Sequence, residues 1–265
     1  MPRIPDQLQQ AVVFLYATEE AARNGSGGGA TGFFIDVPLE SGKRRIRYLV
    51  TNQHVAQGRD RYARLCTRDG GIDVLKIDAS TWFPHPNGDD IAVAIIPESL
   101  DHWTIFGLEH ENIAATKLRM KELNIGVGDE IFMLGRFISH SGLQKNQPLA
   151  RFGNIAMMPG EGVKDGRGLE VEAFLIEMRS LSGFSGSPVF VYVGPASYRG
   201  NGTMMPFYTE QIGLIGIDTG HKTVSTPVRD SETNNMIGQV AVNTGVSIVA
   251  PIWKINEALQ AASAA

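Results

Sequence analysis

The sequence has a single cysteine, Cys66, among its 265 residues. An intramolecular disulfide is therefore excluded, and the fold must be held by its core alone. Basic residues do not dominate, because the formal net charge is −4, and this argues against a nucleic-acid-binding protein. No apolar run reaches the length of a membrane-spanning helix. Residues 1–20 make a poor signal peptide, because acidic residues soon follow a short apolar stretch. We therefore expect a cytoplasmic protein that binds neither nucleic acid nor membrane.

Motifs for metals and nucleotides are also missing. The sequence contains no HExxH, its six histidines are scattered, and Cys66 has no CxxC partner. The stretch "NGSGGGATG" (24–32) formally fits GxGxxG, but a polar segment precedes it and the strand-like "FFIDV" follows. A dinucleotide fingerprint needs the opposite order, a strand before and a helix after. We interpret this stretch as a hairpin loop and predict that the protein uses no metal or other cofactor.

What the chain does have is 30 glycines, which separate short apolar runs rich in β-branched and aromatic residues. This pattern predicts an all-β fold with many turns. The more polar stretch 98–124 is partly helical in pattern and is expected to connect two β halves. Residues 221–243 are expected to form a long polar loop. After Pro251, apolar residues at helical spacing predict a C-terminal helix that docks by one face.

The stretch "RSLSGFSGSPVF" (179–190) contains four serines. Only Ser185 has a glycine on each side at the spacing that lets the chain turn tightly, with Gly183 before it and Gly186 after it. The same turn would direct the amides of Gly183 and Ser185 into one small space, where they could stabilise an oxyanion. A serine-rich structural loop explains the stretch equally well when it is taken alone. No GxSxG motif is present, because Ser187 stands where its second glycine would be, so the α/β-hydrolase arrangement is not supported.

A nucleophilic serine needs a base and a carboxylate to orient that base. His54, in "YLVTNQHVAQG", follows a strand-like run and should lie at a strand end. Asp90, in "HPNGDDIAVAII", directly precedes an apolar strand, where a partly desolvated carboxylate would seek a donor. Asp89 is the competitor: strand alternation would point it toward solvent, but a shift of one residue would exchange the two.

The chain order His54, Asp90, Ser185 is that of the chymotrypsin architecture. On the motifs "TNQHV", "DIAVAII" and "GFSGSPVF", the sequence resembles the chymotrypsin/trypsin-like serine peptidases. The resemblance is to the bacterial disulfide-free branch in particular, which includes the HtrA-type and glutamyl endopeptidases. "GDEIFMLG" and "LIGIDTG" resemble the strands that flank the serine in that family. The position before Ser185 departs from animal trypsins, because Phe184 stands where they carry the aspartate that pairs with a new N-terminus.

The resemblance implies two packed antiparallel six-stranded β-barrels followed by the C-terminal helix. Residues 1–110 would form the barrel that carries His54 and Asp90, and residues 111–265 the barrel that carries Ser185. The implied activity is that of a serine endopeptidase acting on polypeptide substrates. The loop expected over residues 221–243 could cover the substrate pocket or bind a protein regulator. The implied substrate-binding residues are Ser180, Thr219 and Gly220.

Substrate preference stays open at this point. Arg179 in the pocket would favour acidic substrates, whereas Asp218 would favour basic ones, and the two indications contradict each other. An alternative function is a catalytically silent trypsin-like domain that binds peptides or proteins through the same cleft. A purely structural β protein is the third alternative, but it would have to contain all three motifs in this order by chance.

Overall fold

The short apolar runs form β-strands in two curled sheets, and a helix ends the chain. The computed structural model describes residues 3–39, 44–57, 59, 61–96, 102–140, 142, 144–194 and 211–264. The prediction of an all-β fold with a C-terminal helix is confirmed.

The first sheet has the hydrogen-bonded order β5-β4-β1-β2-β3-β7-β6, and β8 pairs in parallel with β2. Its strands are β1 (Val12–Tyr16), β2 (Gly29–Pro38), β3 (Arg45–Thr51), β4 (Arg61–Cys66), β5 (Ile72–Ile77), β6 (Trp82–Pro84), β7 (Ala92–Ile96) and β8 (Leu108–Glu109). The sheet thus has eight strands where six were expected, because β6 and β8, of three and two residues, add to it. Strands of two or three residues are too short to show a hydrophobic periodicity in the sequence.

The second sheet is a closed six-stranded barrel with the order β10-β13-β16-β15-β14-β9. Its strands are β9 (Glu130–Gly135), β10 (Leu149–Met157), β13 (Phe174–Glu177), β14 (Pro188–Val193), β15 (Gln211–Arg229) and β16 (Met236–Pro251). A separate two-stranded pair consists of β11 (Val163–Lys164) and β12 (Glu170–Val171). The division of the chain between residues 110 and 111 stays a prediction.

Short helices connect the strands, and one longer helix closes the chain. They are α1 (Asp6–Gln10), α2 (Glu19–Asn24), α3 (Gln53–Ala56), α4 (His110–Ile113), α5 (Lys117–Glu122) and α6 (Ile252–Ala264), with a 3₁₀ turn at Ala79–Thr81. Within the glycine-rich stretch, residues 25–28 connect α2 to β2, and residues 29–32 already belong to β2, so the interpretation of the whole stretch as a hairpin loop is only partly correct. Within the described residues, no helix combines the length and the hydropathy needed to cross a membrane.

Helix α6 packs by one face against both sheets. Its buried side chains are those of Ile252, Ile255, Ala258, Leu259 and Ala262. They join one hydrophobic cluster with Phe14 and Phe33 of the first sheet and Phe132 and Phe190 of the second. This shared core fixes the orientation of the two sheets, because burial of apolar area is the main stabilising contribution in a chain without disulfides.

The prediction of a polar loop over 221–243 is wrong. β15 and β16 continue past the barrel as a two-stranded ribbon, whose register runs from Thr223 opposite Asn243 to Arg229 opposite Met236. The ribbon turns where the Asp230 carboxylate accepts hydrogen bonds from the amides of Glu232 and Thr233. The many Ser, Thr and Asn residues of this stretch look like a loop in the sequence, yet Thr and Val fit a pleated strand well.

Candidate active site

His54 lies on the single helical turn α3, just after β3 ends at Thr51. Its ring Nδ1 is 2.7 Å from Asp90 Oδ2, and its backbone N–H donates to Asp90 Oδ1 over 2.9 Å. Both carboxylate oxygens therefore hold the same residue. This arrangement favours the tautomer with the proton on Nδ1, which leaves Nε2 free to accept a proton. The His54 side chain is 48% exposed and that of Asp90 is 10% exposed.

Asp90 is fixed by its own backbone as well. Its carbonyl oxygen accepts a hydrogen bond from Asn52 Nδ2 over 3.0 Å. Asp89 turns away from His54, but it does not reach solvent as strand alternation suggested. Its Oδ2 lies 3.3 Å from both Lys254 Nζ and His85 Nδ1, because α6 packs over this corner of the first sheet. The structure thus pairs His54 with Asp90 and assigns Asp89 to a different ion cluster.

That ion cluster is the one group of side chains in the described chain with the composition of a metal site. His85, Asp89 and Glu257 bring their ligand atoms within 4.8 Å of one another. However, Lys254 Nζ lies 3.3 Å from Asp89 and 3.4 Å from Glu257, so an ammonium already supplies the positive charge. His85 Nδ1 also accepts a backbone hydrogen bond from Asn87. We interpret the cluster as the ionic contact that holds α6 on the first sheet.

The loop that carries Ser185 depends on its two glycines. Gly183 and Gly186 have φ values of 99° and 88°, a backbone conformation that residues with a side chain rarely adopt. A Cβ at Gly186 would lie 2.0 Å from the carbonyl oxygen of Thr31. Among the described residues, the amides of Gly183 and Ser185 have no hydrogen-bond acceptor. Both donors are therefore available to a ligand, as an oxyanion hole requires.

Thr31 of β2 joins this loop to the first sheet, a role that sequence reasoning missed. Its N–H donates to the Ser185 carbonyl over 2.9 Å, and its hydroxyl donates to the Gly183 carbonyl over 2.7 Å. The same hydroxyl accepts from the Arg136 N–H over 2.9 Å. Thr31 is fully buried, so its hydrogen bonds are shielded from water. A threonine within a strand carries no signal for such a role.

Ser185 is half-buried, and the backbone of the next residue, Gly186, closely approaches Thr31 and Thr51 of the first sheet. No hydrogen bond joins Ser185 to His54 in the described structure. Such bonds are often long in ligand-free enzymes and shorten when substrate binds. Phe184, the residue before Ser185, is fully buried in the core of the second barrel. Apolar packing therefore surrounds this position, where animal trypsins carry an aspartate.

The residues predicted to bind substrate adjoin this loop. Thr219 and Gly220 follow Asp218 on β15, and Ser180 donates through its hydroxyl to Asp218 Oδ2 over 2.7 Å. Arg179, one of the two charged candidates, is exposed, whereas Asp218 is fully buried. Burial raises the pKa of Asp218 to about 7, although the Ser180 hydroxyl, the Gly220 amide and the charge of His54 act in the opposite direction.

Two curled sheets with this connectivity, a terminal helix and the candidate residues between the sheets form the fold of the chymotrypsin-like serine proteases. Solved structures agree. The crystal structure of Deg5 has a TM-score of 0.50 at 16% sequence identity, over 95% of this chain and 88% of that one. The apo protease domain of MamO from Magnetospirillum magneticum has a TM-score of 0.51 at 13% identity, over 94% and 96% of the two chains. The resemblance stated from the motifs is thereby confirmed at the level of the fold. No family model and no curated protein matches the sequence.

Proposed function

We propose that this protein is a serine endopeptidase that hydrolyses polypeptides through an acyl-enzyme on Ser185, with His54 and Asp90 as the other members of its catalytic triad. The observation that carries the proposal is the pair of hydrogen bonds with which Asp90 holds both the ring and the backbone of His54. A histidine that served only as a polar turn residue would not need a nearly buried carboxylate on its ring nitrogen.

In the proposed reaction, Ser185 Oγ forms a bond to the carbonyl carbon of the substrate while His54 Nε2 takes the hydroxyl proton. The C–N bond then breaks, and His54 returns this proton to the leaving amine. Water attacks the resulting ester with His54 again as the base, which releases the acid and restores Ser185. Asp90 stabilises the imidazolium at each stage without taking the proton itself.

The oxyanion formed at each attack would be bound by the amides of Gly183 and Ser185. Removal of one such donor typically raises the barrier by about 3–4 kcal/mol. The hydrogen bonds from Thr31 to the carbonyls of Gly183 and Ser185 support this assignment, because they hold the peptide units that directly follow the two donor residues. The donors are thus preorganised before substrate arrives, which is the condition for strong electrostatic stabilisation.

The second candidate is a catalytically silent domain that binds peptides in the same cleft. It is favoured by one observation, the missing hydrogen bond between Ser185 and His54. In that case the cleft would retain its shape and its free amides but would not transfer a proton. Both candidate functions include peptide binding, but only the endopeptidase hydrolyses the bound peptide.

Release of peptides from an unfolded protein such as casein tests the proposal. We expect hydrolysis by the wild type and loss of it in Ser185→Ala. Ser182→Ala is the matched control, because Ser182 is exposed in the same loop and should not take part in the reaction. If Ser185→Ala binds casein fragments as the wild type does, and neither protein cleaves them, the silent-domain function is correct.

The remaining parts of the proposal rest on the sequence. They are activity in the cytoplasm without a metal or other cofactor, a polypeptide substrate, and a protein regulator as a further partner. The ribbon beyond the barrel is an exposed surface that such a regulator could contact, since Val224, Val240 and Val242 are about half exposed on it.

A further inference from the structure

A cavity of about 1050 Å³ lies away from the candidate active site, between the first sheet and the connection that links β9 to β10. Its walls are helix α1, the turn from β4 to β5, Thr104 and Ile105, and the described part of that connection. None of the three triad candidates lines it. Its volume is at the upper end of the range found for small-molecule sites.

The buried part of the lining is apolar. It consists of Val12 of β1, Phe34 of β2 and Leu65 of β4, which belong to the core of the first sheet, and the partly buried Ile105 adjoins them. An apolar group of a ligand would remove water from these side chains, which favours binding.

One wall of the cavity is held in place without a ligand. Asn146 Nδ2 donates to the Arg64 carbonyl over 2.7 Å, and Asn146 Oδ1 accepts from Arg64 Nη1 over 2.9 Å. The Asn146 N–H donates to Cys66 Sγ over 3.3 Å. The connection also turns tightly at Gly142, whose φ is 87° and where a Cβ would overlap the Lys145 carbonyl oxygen. This wall is therefore preformed, so a ligand would lose little affinity to ordering it.

Two cations at the cavity have no partner of their own. The side chains of Arg68 and Lys145 are exposed, and neither forms a hydrogen bond or an ion pair with a described residue. The one carboxylate among the described lining residues, that of Asp6, is already 3.6 Å from Arg3 Nη2. His140 lines the cavity as well and adds positive charge when it is protonated. The cavity therefore favours an anion.

We propose that this cavity is a binding site for an organic carboxylate with an apolar body. The carboxylate pairs with Arg68 and Lys145, and the apolar body covers the buried part of the lining. A short fatty acid and the C-terminal end of an apolar peptide share this chemistry. They differ in their amide groups, which Gln9 and Gln144 of the lining would hydrogen-bond in the peptide alone. The inference does not depend on the proposed function, because the triad takes no part in it.

The thiol of Cys66 reports whether the cavity is occupied, because Cys66 is the only cysteine and lies in the lining. We would follow its reaction with the neutral reagent 4,4′-dithiodipyridine in Ser185→Ala, so that peptide ligands stay intact. The ligands are octanoate and acetyl-Leu-Leu with a free carboxylate, each compared with its neutral amide. NMR shifts of the Gly70 and Gly142 amides, which also belong to the lining, give a second readout.

We expect a carboxylate to protect Cys66 at a concentration about five- to tenfold lower than its amide does, because two exposed ion pairs contribute to its binding. This difference should shrink in 0.5 M salt. Tighter binding of acetyl-Leu-Leu than of octanoate would assign the site to a peptide C-terminus, and the reverse order to a fatty acid. Equal potency of both carboxylates and their amides would overturn the proposal. Ligands that neither protect Cys66 nor shift the two glycine amides would overturn it as well.

Substitution of the two cations provides the matched variants. In Arg68→Gln with Lys145→Gln, the ratio of carboxylate to amide affinity should fall to about one. Lys121→Gln is the control, because Lys121 is exposed on α5 and lies outside the lining, and it should keep the ratio. All three positions are exposed, so these variants should fold as the parent does. A double variant that keeps the preference for the carboxylate would contradict the assignment of Arg68 and Lys145.

Discussion

The buried carboxyl of Asp218 makes a quantitative prediction about stability. Its pKa is raised from the ordinary value of 3.8 to about 7 in the folded protein, so the folded state binds this proton more tightly than the unfolded state does. The stabilisation of the folded state by this bound proton is therefore fully present below about pH 4 and is lost as the pH rises through 7. A difference of about three pKa units corresponds to about 4 kcal/mol. Asp218→Asn cannot ionise and should lack this loss.

Urea unfolding of the wild type and Asp218→Asn between pH 4 and pH 8 measures the effect. The quantity used is the pH dependence of the difference in unfolding free energy between variant and wild type. A cost of the new amide that does not depend on pH therefore cancels. We expect the variant to gain up to about 4 kcal/mol relative to the wild type over this interval. Asp230→Asn is the control: hydrogen bonds from Thr233 and Glu232 lower the pKa of Asp230, so its contribution to stability changes only at more acid pH, and the difference between this variant and the wild type should stay nearly constant from pH 4 to pH 8. A difference between Asp218→Asn and the wild type that stays constant from pH 4 to pH 8 would refute the reasoning.

Three further substitutions test the construction of the site. Thr31→Val keeps the shape of the side chain but removes the hydroxyl that holds the Gly183 carbonyl; urea unfolding should show a loss of about 1–3 kcal/mol, together with slower peptide hydrolysis. Asp90→Asn should lower kcat/KM on the order of 10⁴-fold, because the wrong tautomer of His54 is then favoured. Asp89→Asn should instead lower stability and retain hydrolysis. Equal activity of the two variants would contradict the assignment of Asp90 as the partner of His54. Gly186→Ala would bring a Cβ to within 2.0 Å of a carbonyl oxygen at a φ of 88°, and we expect it to cost about 1–3 kcal/mol by thermal unfolding and to abolish hydrolysis.

Short-range features of the sequence were sufficient to predict much of the fold and of the candidate site. The position of Asp90 before an apolar strand, and that of His54 after one, follow from patterns of fewer than ten residues. The structure brings these two side chains into contact. The C-terminal helix was predictable for the same reason, because its apolar spacing is local and its buried face follows that spacing.

Features that depend on distant parts of the chain could not be predicted. Thr31 contacts residues 152 positions away, and nothing around it in the sequence distinguishes it from other strand threonines. Asp89 was expected to face solvent, but Lys254 of α6 packs against it. The ribbon resembles a loop in the sequence because its strands stabilise each other without an alternating burial pattern, and most of its side chains are exposed.

The claim that most needs a direct test is that Ser185 is an activated nucleophile. A fluorophosphonate probe reacts with a serine that an adjacent base has activated, and mass spectrometry of the digested protein locates the adduct. We predict one adduct, on the peptide that contains Ser185, and its loss in His54→Ala under the same conditions. A protein that stays unlabelled, or that is labelled equally well without His54, would contradict the account.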